Sequence, residues 1–398
     1  MAYLLGIDDT DSRFGHCTTH LGYLVVSELS RLGCRIPAYP RLVRLNPNVP
    51  FKTRGNAAVC VEFEPGPSCS GDRAFEAAQR LLEAEADVAN GANPALVMVS
   101  KDSDLSYFRH LYLRALSGVV NYRRVIADLS EMRVRLTLLG NGMGAVGAAA
   151  SLGFWPSSDD HTYELISYRR PERCGIPRGV VPQTVKEMEA ATFPHTFNSY
   201  DHESGRVLVA PTGPDPVLAG LRGDSPHAVL GALSLVDVGE DALGHMVYAT
   251  NQCTDAHLAS ELSLPLKAYS AGWLEGRVVS TKTLRGSHLR IALGVGGSEV
   301  GCMVYEPSGD LRRMARLLMP GDAVRVSGGV RRGSSKNPAT LNVERIHVLR
   351  ASSKVHPGVY LPSPRAQRHL TKQLLRLGNE LVTEHGLVDG WISARWLG

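Results

Sequence analysis

Apolar stretches of strand length alternate with segments of helical periodicity over the first 130 residues, and this alternation constrains the fold more than any other feature. Such an order is typical of an α/β domain, and we predict one over residues 1–130. At 398 residues the chain exceeds one ordinary core, so further domains are expected. The predicted strands of this region are 3–7, 57–63 and 96–99, and its predicted helices are 19–32, 74–86 and 105–119.

Residues 131–262 carry two strand–helix–strand units in tandem, with predicted strands at 134–139, 163–168, 206–210 and 245–250. This order predicts a ferredoxin-like domain. Residues 263–350 change character: five short β segments are separated by glycine and charged turns, with one helix before the fourth. That order predicts an OB-fold β-barrel, a frequent binder of nucleic acid. Residues 351–398 have helical periodicity and predict a basic helical tail. The expected fold class is therefore α/β and α+β, multidomain.

Charge is unevenly distributed along the chain. From Leu266 onward Lys and Arg outnumber Asp and Glu by 20 to 9, whereas the preceding residues are acidic on balance. A basic second half could bind a polyanion such as RNA, while the acidic first half carries out the catalysis. The alternative is a solvated basic surface that binds no partner. No apolar run has the length that spans a bilayer, so we predict a cytoplasmic protein with no membrane partner. Seven scattered cysteines without a Cys-x-x-Cys pair favour neither a disulfide framework nor a Cys-only zinc site.

Three carboxylates stand at the end of the first predicted strand, in Asp8, Asp9 and Asp11. Sites of α/β proteins collect at the carboxyl ends of strands. Like charges this close repel one another, and a divalent cation relieves the repulsion; oxygen ligands favour Mg²⁺ carried by the phosphates of ATP. These residues are therefore the predicted catalytic and metal-binding carboxylates of an ATP site. A polar turn that caps the next helix is the alternative interpretation.

Gly15, Thr18 and Thr19 open the helix that follows. A glycine and hydroxyl groups at a helix N-terminus can bind an anion, or they can simply cap the helix. If the carboxylates hold Mg²⁺ and ATP, either hydroxyl could instead accept a phosphoryl group.

Two loops are further candidates for contact with the nucleotide. Lys52, Arg54 and Asn56 follow a proline-rich segment, and fixed cations on a stiff loop suit a polyphosphate. A second loop, with Gly140, Asn141 and Gly142, lies between a predicted strand and helix but resembles a dinucleotide fingerprint only loosely. A solvated loop and close helix–sheet packing are the respective alternatives.

Two polar runs near strand ends are candidate substrate contacts. One contains Asn251, Asp255 and His257, and the other contains Asp215 and Arg222. His257 with Asp255 could act in proton transfer, whereas a histidine satisfied within the fold is the alternative.

Laid end to end, these segments resemble the archaeal tRNA 2-agmatinylcytidine synthetase family, in the right order over nearly the whole chain. The matching segments are GIDDTDS (6–12), GHCTTHLG (15–22), YPRLVRLNPNVPFKTRGNAAV (39–59), YELISYR (163–169), TFNSYD (196–201), GPDPVLAGLRGD (213–224), TNQCTDAH (250–257) and SPRAQRHLTKQLLRLG (363–378).

The resemblance implies a reaction and a fold. ATP would phosphorylate the 2-oxo group of the wobble cytidine of an isoleucine tRNA, and the amine of agmatine would then displace phosphate. By position in the motifs, Asp8, Asp9 and Asp11 would be the metal and catalytic carboxylates, and Thr18 the hydroxyl that becomes phosphorylated. The implied fold is a kinase-like N-terminal domain, a ferredoxin-like domain, an OB-fold and a zinc ribbon.

The chain departs from the family at the ribbon, because residues 347–357 lead into the tail without a cysteine. Two acceptors are therefore expected: tRNA, or a free nucleoside or other small molecule that undergoes the same replacement of oxygen by amine. The amine itself is agmatine or another small amine. A non-catalytic RNA-binding protein is a third hypothesis, against which the intact carboxylates and Thr18 argue.

Overall fold

The computed structural model describes residues 1–352, apart from residues 54, 203, 204 and 336, and residues 391–393. The chain forms two compact units. The first comprises Met1–Pro47 and Phe51–Ala256, and the second comprises Asn48–Pro50 and His257–Gly398.

The first unit combines strands with helices, and its larger strands belong to one sheet. The strands are β1 (Tyr3–Asp8), β2 (Arg41–Arg44), β3 (Ala57–Phe63), β4 (Ala95–Ser100), β5 (Arg135–Leu138), β6 (Thr162–Arg169), β7 (Thr196–Phe197), β8 (Tyr200–Asp201), β9 (Arg206–Val207), β10 (Val217–Gly223) and β11 (Ala242–Thr250). The helices are α1 (Thr18–Arg31), α2 (Gly71–Glu85), α3 (Ser106–Ser117), α4 (Tyr122–Glu131), α5 (Ala145–Ser151), α6 (Pro182–Thr192) and α7 (Pro226–Leu233).

Nine strands form this sheet in the order β5-β4-β1-β3-β2-β11-β6-β10-β7, and β8 pairs only with β9. All neighbours are antiparallel except β2 and β11, which pair in parallel. Strand β1 lies between β4 and β3, with apolar residues from Leu4 to Ile7 that are almost fully buried. Its last residue, Asp8, therefore leaves the sheet from an interior strand.

Helix α1 packs on the face of the sheet that presents Leu5 and Ile7 of β1. It does so through Leu21, Val25 and Leu29, which recur every four residues and belong to the same apolar core. The helix ends at Arg31 and is followed closely by Gly33, whose φ of 84° lies in the left-handed region that favours glycine. The amide of Cys34 then donates to the carbonyl of Leu29 at 2.9 Å and closes the last turn.

The strands and helices predicted for residues 1–130 are confirmed within a few residues, but β2 and α4 were missed. In the following region, the strand predicted at 206–210 is wrong. Only the short β9 forms there, and the third long strand is β10, whose two glycines and arginine weaken the β signal although most of it is buried. Strand β5 forms as predicted but pairs with β4 rather than with any later strand. The boundaries of the four predicted domains stay predictions.

The second unit is built from β12 (Ala271–Thr283), β13 (Leu289–Val295), β14 (Ser298–Val304), α8 (Gly309–Ala315), β15 (Ala323–Arg331), β16 (Thr340–Arg350) and β17 (Trp391–Ser393). Strand β14 pairs with β13 and also, in parallel, with β16, so the five strands from β12 to β16 form a closed circuit of pairings. An apolar cluster that includes Leu274, Ile291 and Val326 fills the interior. The five predicted strands and the helix before the fourth are confirmed.

The tail predicted to be helical over residues 351–398 lies mostly outside the described residues. Within it, Trp391–Ser393 form a strand rather than a helix, because they pair with Arg345, Ile346 and His347 of β16. Among the residues that the structure describes, no helix has both the length and the apolar character needed to cross a membrane.

Candidate active site

The carboxylate turn begins at the buried end of β1. Asp9 has a φ of 57°, a left-handed conformation that Asp tolerates better than most residues, and it is hydrogen-bonded to Asn93. Burial raises the pKa of Asp8 well above its ordinary value, and the negative charges of Asp9 and Asp11 add to the shift. Burial, with Asp11 beside it, also raises the pKa of Asp9 to about 6, although the hydrogen bonds with Asn93 act in the opposite direction. The turn therefore concentrates carboxyl groups that a cationic partner would stabilise as carboxylates.

Glycines bring helix α5 against this turn. A Cβ atom added at Gly147 would overlap the carboxyl group of Asp8, and one added at Gly144 would lie 2.9 Å from the carbonyl oxygen of Asp8. On the strand side, a Cβ at Gly6 would overlap the carbonyl oxygen of Ala148. The small residues thus allow the backbone of α5 to lie directly on β1 and on Asp8.

The loop after Asp11 is a tight hairpin anchored on Asp87. Ser12 and Gly15 form an isolated bridge, and the hydroxyl of Ser12 donates to Asp87 Oδ2 at 2.5 Å. The amide of Asp87 donates in turn to the carbonyl of Thr10 at 3.1 Å. Asp87 therefore holds the turn from both sides.

The two predicted hydroxyls lie at the start of α1, close to the turn. Thr18 is 5% exposed, and its Oγ1 atom lies 3.1 Å from the Oγ1 atom of Thr10. Thr19 Oγ1 lies 3.1 Å from the Sγ atom of Cys17. The hydroxyls of Tyr168 and Tyr248 both donate to the carbonyl of Thr19, at 2.9 and 2.6 Å. These bonds tie the first turn of α1 to the strands β6 and β11.

The structure brings the loop with Lys52 to the carboxylate turn, as the ATP-site prediction requires. The hydroxyl of Thr53 donates to Asp11 Oδ1 at 3.2 Å. Asn56 has a φ of 46°, and its side-chain amide donates to the carbonyl of Asn46 at 2.6 Å. This bond holds the two ends of the loop together. Arg54 lies outside the described residues.

The glycine loop before α5 also reaches the turn, through Asn93. The amide of Asn141 donates to Asn93 Oδ1 at 3.0 Å, and the amide of Gly144 donates to the Asn93 carbonyl at 2.9 Å. Gly140 and Gly142 have left-handed φ values of 61° and 73°. Since Asn93 is also bonded to Asp9, the loop supports the position of that carboxyl group, and its glycines serve close packing.

A second polar group lies on strands β2, β6 and β10. The carboxylate of Glu164 contacts Arg44 at 3.2 Å and Arg222 at 3.3 Å. Burial alone raises the pKa of Glu164, but the two guanidinium groups outweigh it and hold that pKa below the ordinary value. Asn251 joins the group, since its Oδ1 accepts from the amide of Arg44 at 2.7 Å and its Nδ2 donates to the hydroxyl of Tyr112 at 3.1 Å. Arg222 and Asn251, which belong to the two separate polar runs of the sequence, are thus brought together around Glu164 and Arg44.

The remaining predicted substrate contacts are separated. Asp215 is 3% exposed and accepts from the amide of Val217 at 3.2 Å. Burial raises the pKa of the Cys17 thiol, and the charges of Asp11 and Asp215 add to the shift. The strand after Asp215 begins at Val217, which pairs with Tyr168, whose hydroxyl donates to the carbonyl of Thr19. Asp255 has a left-handed φ of 57°. His257 belongs to the second unit, where its Nε2 atom lies 3.1 Å from Glu344 Oε2, in agreement with the interpretation of a satisfied histidine.

Several residues of the site were not singled out from the sequence. They include Asn93 and Asp87, which hold the turn, and Glu164, which joins Arg44 to Arg222. In the TFNSYD segment, Asn198 Oδ1 and Ser199 Oγ are buried without a hydrogen-bond partner among the described residues. Arg222 donates to the carbonyl of Asn198 at 3.3 Å. The resemblance of the TFNSYD segment to the family was the available sequence signal, but it does not identify which atoms lack a hydrogen-bond partner.

Mg²⁺ fits this turn in one of its usual modes. Among the described residues, no three His, Cys, Asp or Glu side chains are arranged as a complete ligand set for a metal ion. Mg²⁺ is commonly bound by one or two carboxylates together with substrate phosphates and water, which needs no such cage. The mutually repelling carboxyl groups of Asp8, Asp9 and Asp11 suit that open mode.

Comparison with known proteins identifies two family domains. The TiaS TCKD domain matches residues 4–137, and the TiaS FLD domain matches residues 142–257. The isoleucine-tRNA 2-agmatinylcytidine synthetase TiaS of Cenarchaeum symbiosum is 41% identical over 350 residues, which are 87% of this chain and 76% of that protein. The protein of the same name from Methanosarcina mazei is 33% identical, over 94% of this chain and 97% of that protein.

Solved structures agree with this relationship. The complex of TiaS with its isoleucine tRNA and ATP is 27% identical, with a TM-score of 0.83 over 100% of this chain and 96% of that chain. The complex of TiaS with the same tRNA, AMPCPP and agmatine gives a TM-score of 0.82 at 27% identity, over 99% and 94% of the two chains. A ZRD-deleted mutant of TiaS in complex with agmatine gives 0.75 at 26% identity, over 90% and 92%. The mixed α/β multidomain fold is thereby confirmed, and the chain belongs to the TiaS family of isoleucine-tRNA 2-agmatinylcytidine synthetases.

Proposed function

We propose that this chain is an ATP-dependent C–N ligase that replaces the 2-oxo group of the wobble cytidine of an isoleucine tRNA with agmatine. The observation that carries the proposal is the carboxylate turn at the end of β1, which is hydrogen-bonded to the Lys52–Asn56 loop and adjacent to the hydroxyl of Thr18. The TiaS relatives support the choice of tRNA, ATP and agmatine as reactants. A cytoplasmic location is part of the proposal.

The finer domain assignment belongs to the same proposal. Residues 1–130 are a kinase-like catalytic domain, 131–262 a ferredoxin-like domain and 263–350 an OB-fold. The closed circuit of pairings from β12 to β16, with α8 before the fourth strand, supports the OB-fold.

On the nucleotide side, Asp8, Asp9 and Asp11 would hold Mg²⁺ and with it the phosphates of ATP. When bound, Mg²⁺ neutralises charge on the transferring phosphoryl group. Lys52 and Arg54 supply fixed positive charge to the polyphosphate, and Gly15, Thr19, Asn56 and the loop 140–142 shape the same site. Thr18 lies next to Thr10 at the start of α1 and is the protein hydroxyl that accepts a phosphoryl group.

On the substrate side, the chemistry needs an activated carbonyl and a bound cationic amine. Phosphorylation turns the 2-oxo oxygen into a leaving group; the amine nitrogen then bonds to C2, loses a proton, and phosphate departs with the oxygen. Asp215 attracts the cation, whereas Arg222 and Asn251 orient the reactants, with Asp255 as a further contact. Buried acceptors such as Asn198 Oδ1 would gain a donor from the amine.

Incorporation of labelled agmatine tests the function. The protein is incubated with a transcript of the isoleucine tRNA, ATP and Mg²⁺, and we expect ATP-dependent label in the tRNA and the matching mass shift on cytidine. ATP turnover without incorporation would reject tRNA as the acceptor. Because residues 347–357 contain no cysteine, a small-molecule acceptor is also tested. A parallel incubation replaces the tRNA with free cytosine compounds. RNA binding that is unchanged in Asp9→Ala, with no ATP use, would instead indicate a non-catalytic RNA-binding protein.

Thr18→Ala is expected to remove autophosphorylation completely, because the acceptor hydroxyl is absent. Incubation with γ-labelled ATP followed by phosphopeptide mapping measures it, and Thr19→Ala, the adjacent substitution, is expected to keep the label. A peptide that stays labelled in Thr18→Ala and loses its label in Thr19→Ala would assign the acceptor to Thr19.

A further inference from the structure

Arg178, in the segment between β6 and α6, donates every N–H of its guanidinium group to one loop. Nε donates to the carbonyl of Val217 at 2.8 Å, and Nη1 donates to the carbonyls of Pro211 and Gly213 at 2.7 and 2.8 Å. Nη2 donates to the carbonyl of Asp215 at 2.8 Å and contacts Asp215 Oδ1 at 3.5 Å. Its side chain is only 6% exposed, so these bonds form away from water.

The loop needs an external donor because of its sequence. Residues 211, 214 and 216 are prolines, which have no backbone N–H, so the segment cannot satisfy its carbonyls through a ladder of its own. Buried carbonyls without a partner are costly, and one guanidinium group supplies five donors in a fixed planar arrangement. Arg178 therefore sets the path of the backbone from Pro211 to Val217.

That path determines the position of Asp215. The short bonds of Arg178 go to backbone carbonyls, whereas its contact with the carboxylate is long, so Arg178 fixes the residue through the main chain rather than through a close ion pair. The loop leads into Val217, which pairs with Tyr168, and the hydroxyl of Tyr168 donates to the carbonyl of Thr19 in the first turn of α1. A change at Arg178 is expected to move a carboxylate beside the catalytic turn.

We propose that Arg178 is a positioning residue for the amine substrate, because it holds the Pro211–Val217 loop so that the Asp215 carboxylate meets the cationic amine. The inference rests on the proposed function, in which Asp215 attracts that cation. It predicts that Arg178 governs the apparent affinity for the amine and leaves the ATP site unaffected.

Arg178→Lys tests this, since it keeps the charge but offers three donors where arginine has five. We expect the KM for agmatine to rise on the order of tenfold, with the KM for ATP within about twofold of wild type; tenfold corresponds to about 1.4 kcal/mol. Arg173→Lys is the matched control, because Arg173 lies in the same segment but is 42% exposed and contacts only Glu240 at 3.3 Å among the pairs described. Both KM values should stay at wild-type levels in the control.

A double-mutant cycle with Asp215→Asn separates positioning from general loss of stability. If Arg178 acts through Asp215, adding Arg178→Lys to Asp215→Asn should raise the KM for agmatine no further. Multiplying effects, or equal rises in the KM for ATP and for agmatine, would overturn the inference while the proposed function stands. A wild-type protein that turns over ATP but incorporates no amine would overturn both.

Discussion

Asp8→Asn is expected to reduce ATP turnover on the order of a thousandfold, about 4 kcal/mol of transition-state stabilisation, without lowering the melting temperature. The substitution keeps the shape of the side chain and removes only its charge. Burial and the charges of Asp9 and Asp11 already penalise the ionised form of Asp8, as the raised pKa shows. The fold therefore loses an unfavourable charge, whereas the nucleotide site loses a ligand.

Two measurements check this prediction. ADP release gives the rate of ATP turnover, and thermal unfolding without nucleotide or metal gives the melting temperature. Asp102→Asn is the control, because Asp102 is an exposed acid that follows β4 at the opposite end of β1 from Asp8, so the substitution should leave both quantities unchanged. Turnover within a few-fold of wild type would refute the assignment of Asp8. A large fall in the melting temperature would mean that Asp8 is retained for the fold instead.

Gly147→Ala is expected to have the second largest effect, a loss of ATP turnover of about a hundredfold or more together with a lower melting temperature. Alanine is ordinarily the better residue inside a helix by about 0.5–1 kcal/mol. Here its Cβ atom would overlap the carboxyl group of Asp8, so either α5 or Asp8 must move. Because Gly6 and Gly144 hold α5 close to β1, the helix has little room to retreat.

Gly231→Ala in α7 is the matched control, because a Cβ atom there meets nothing within 4 Å. It should raise the melting temperature slightly and leave turnover unchanged. Adding Asp8→Ala to Gly147→Ala removes the overlapping group and should recover stability but not activity. If the double variant melts as low as Gly147→Ala, the overlap with Asp8 is not the cause.

Local patterns predicted most elements of both units. Strand β1 and helix α1 carry strong signals. Strand β1 is a continuous apolar run buried on both faces, whereas α1 buries one apolar set at a regular spacing and is followed by a left-handed glycine. Strand β10 was missed for the opposite reason: glycines and Arg222 weaken its pattern, and only its position between β6 and β7 makes it a strand. The same limit applies to β5. Its local sequence predicts a strand, but the sequence does not indicate that the strand pairs with β4.

The chemistry of the site divides in the same way. The carboxylate turn, the hydroxyls of α1 and the loop with Lys52 are contiguous motifs, so the residue types themselves predicted an ATP site. Glu164, Asn93 and Arg178 have no comparable local signal. Each acts on residues distant in sequence, and its role depends on burial and on which partner lies within hydrogen-bond distance.

The sequence by itself determined the carboxylate turn, the order of most strands and helices, and the family, since these reside in short segments with their own periodicity or motif. Only the tertiary structure showed three other features. Asn93 joins the turn to the glycine loop, the absence of a Cβ atom at Gly147 leaves room for the carboxyl group of Asp8, and Arg178 donates hydrogen bonds to the loop that contains Asp215. The physical reason is that a hydrogen bond or a steric overlap depends on distances between chain segments, which the amino-acid order does not state.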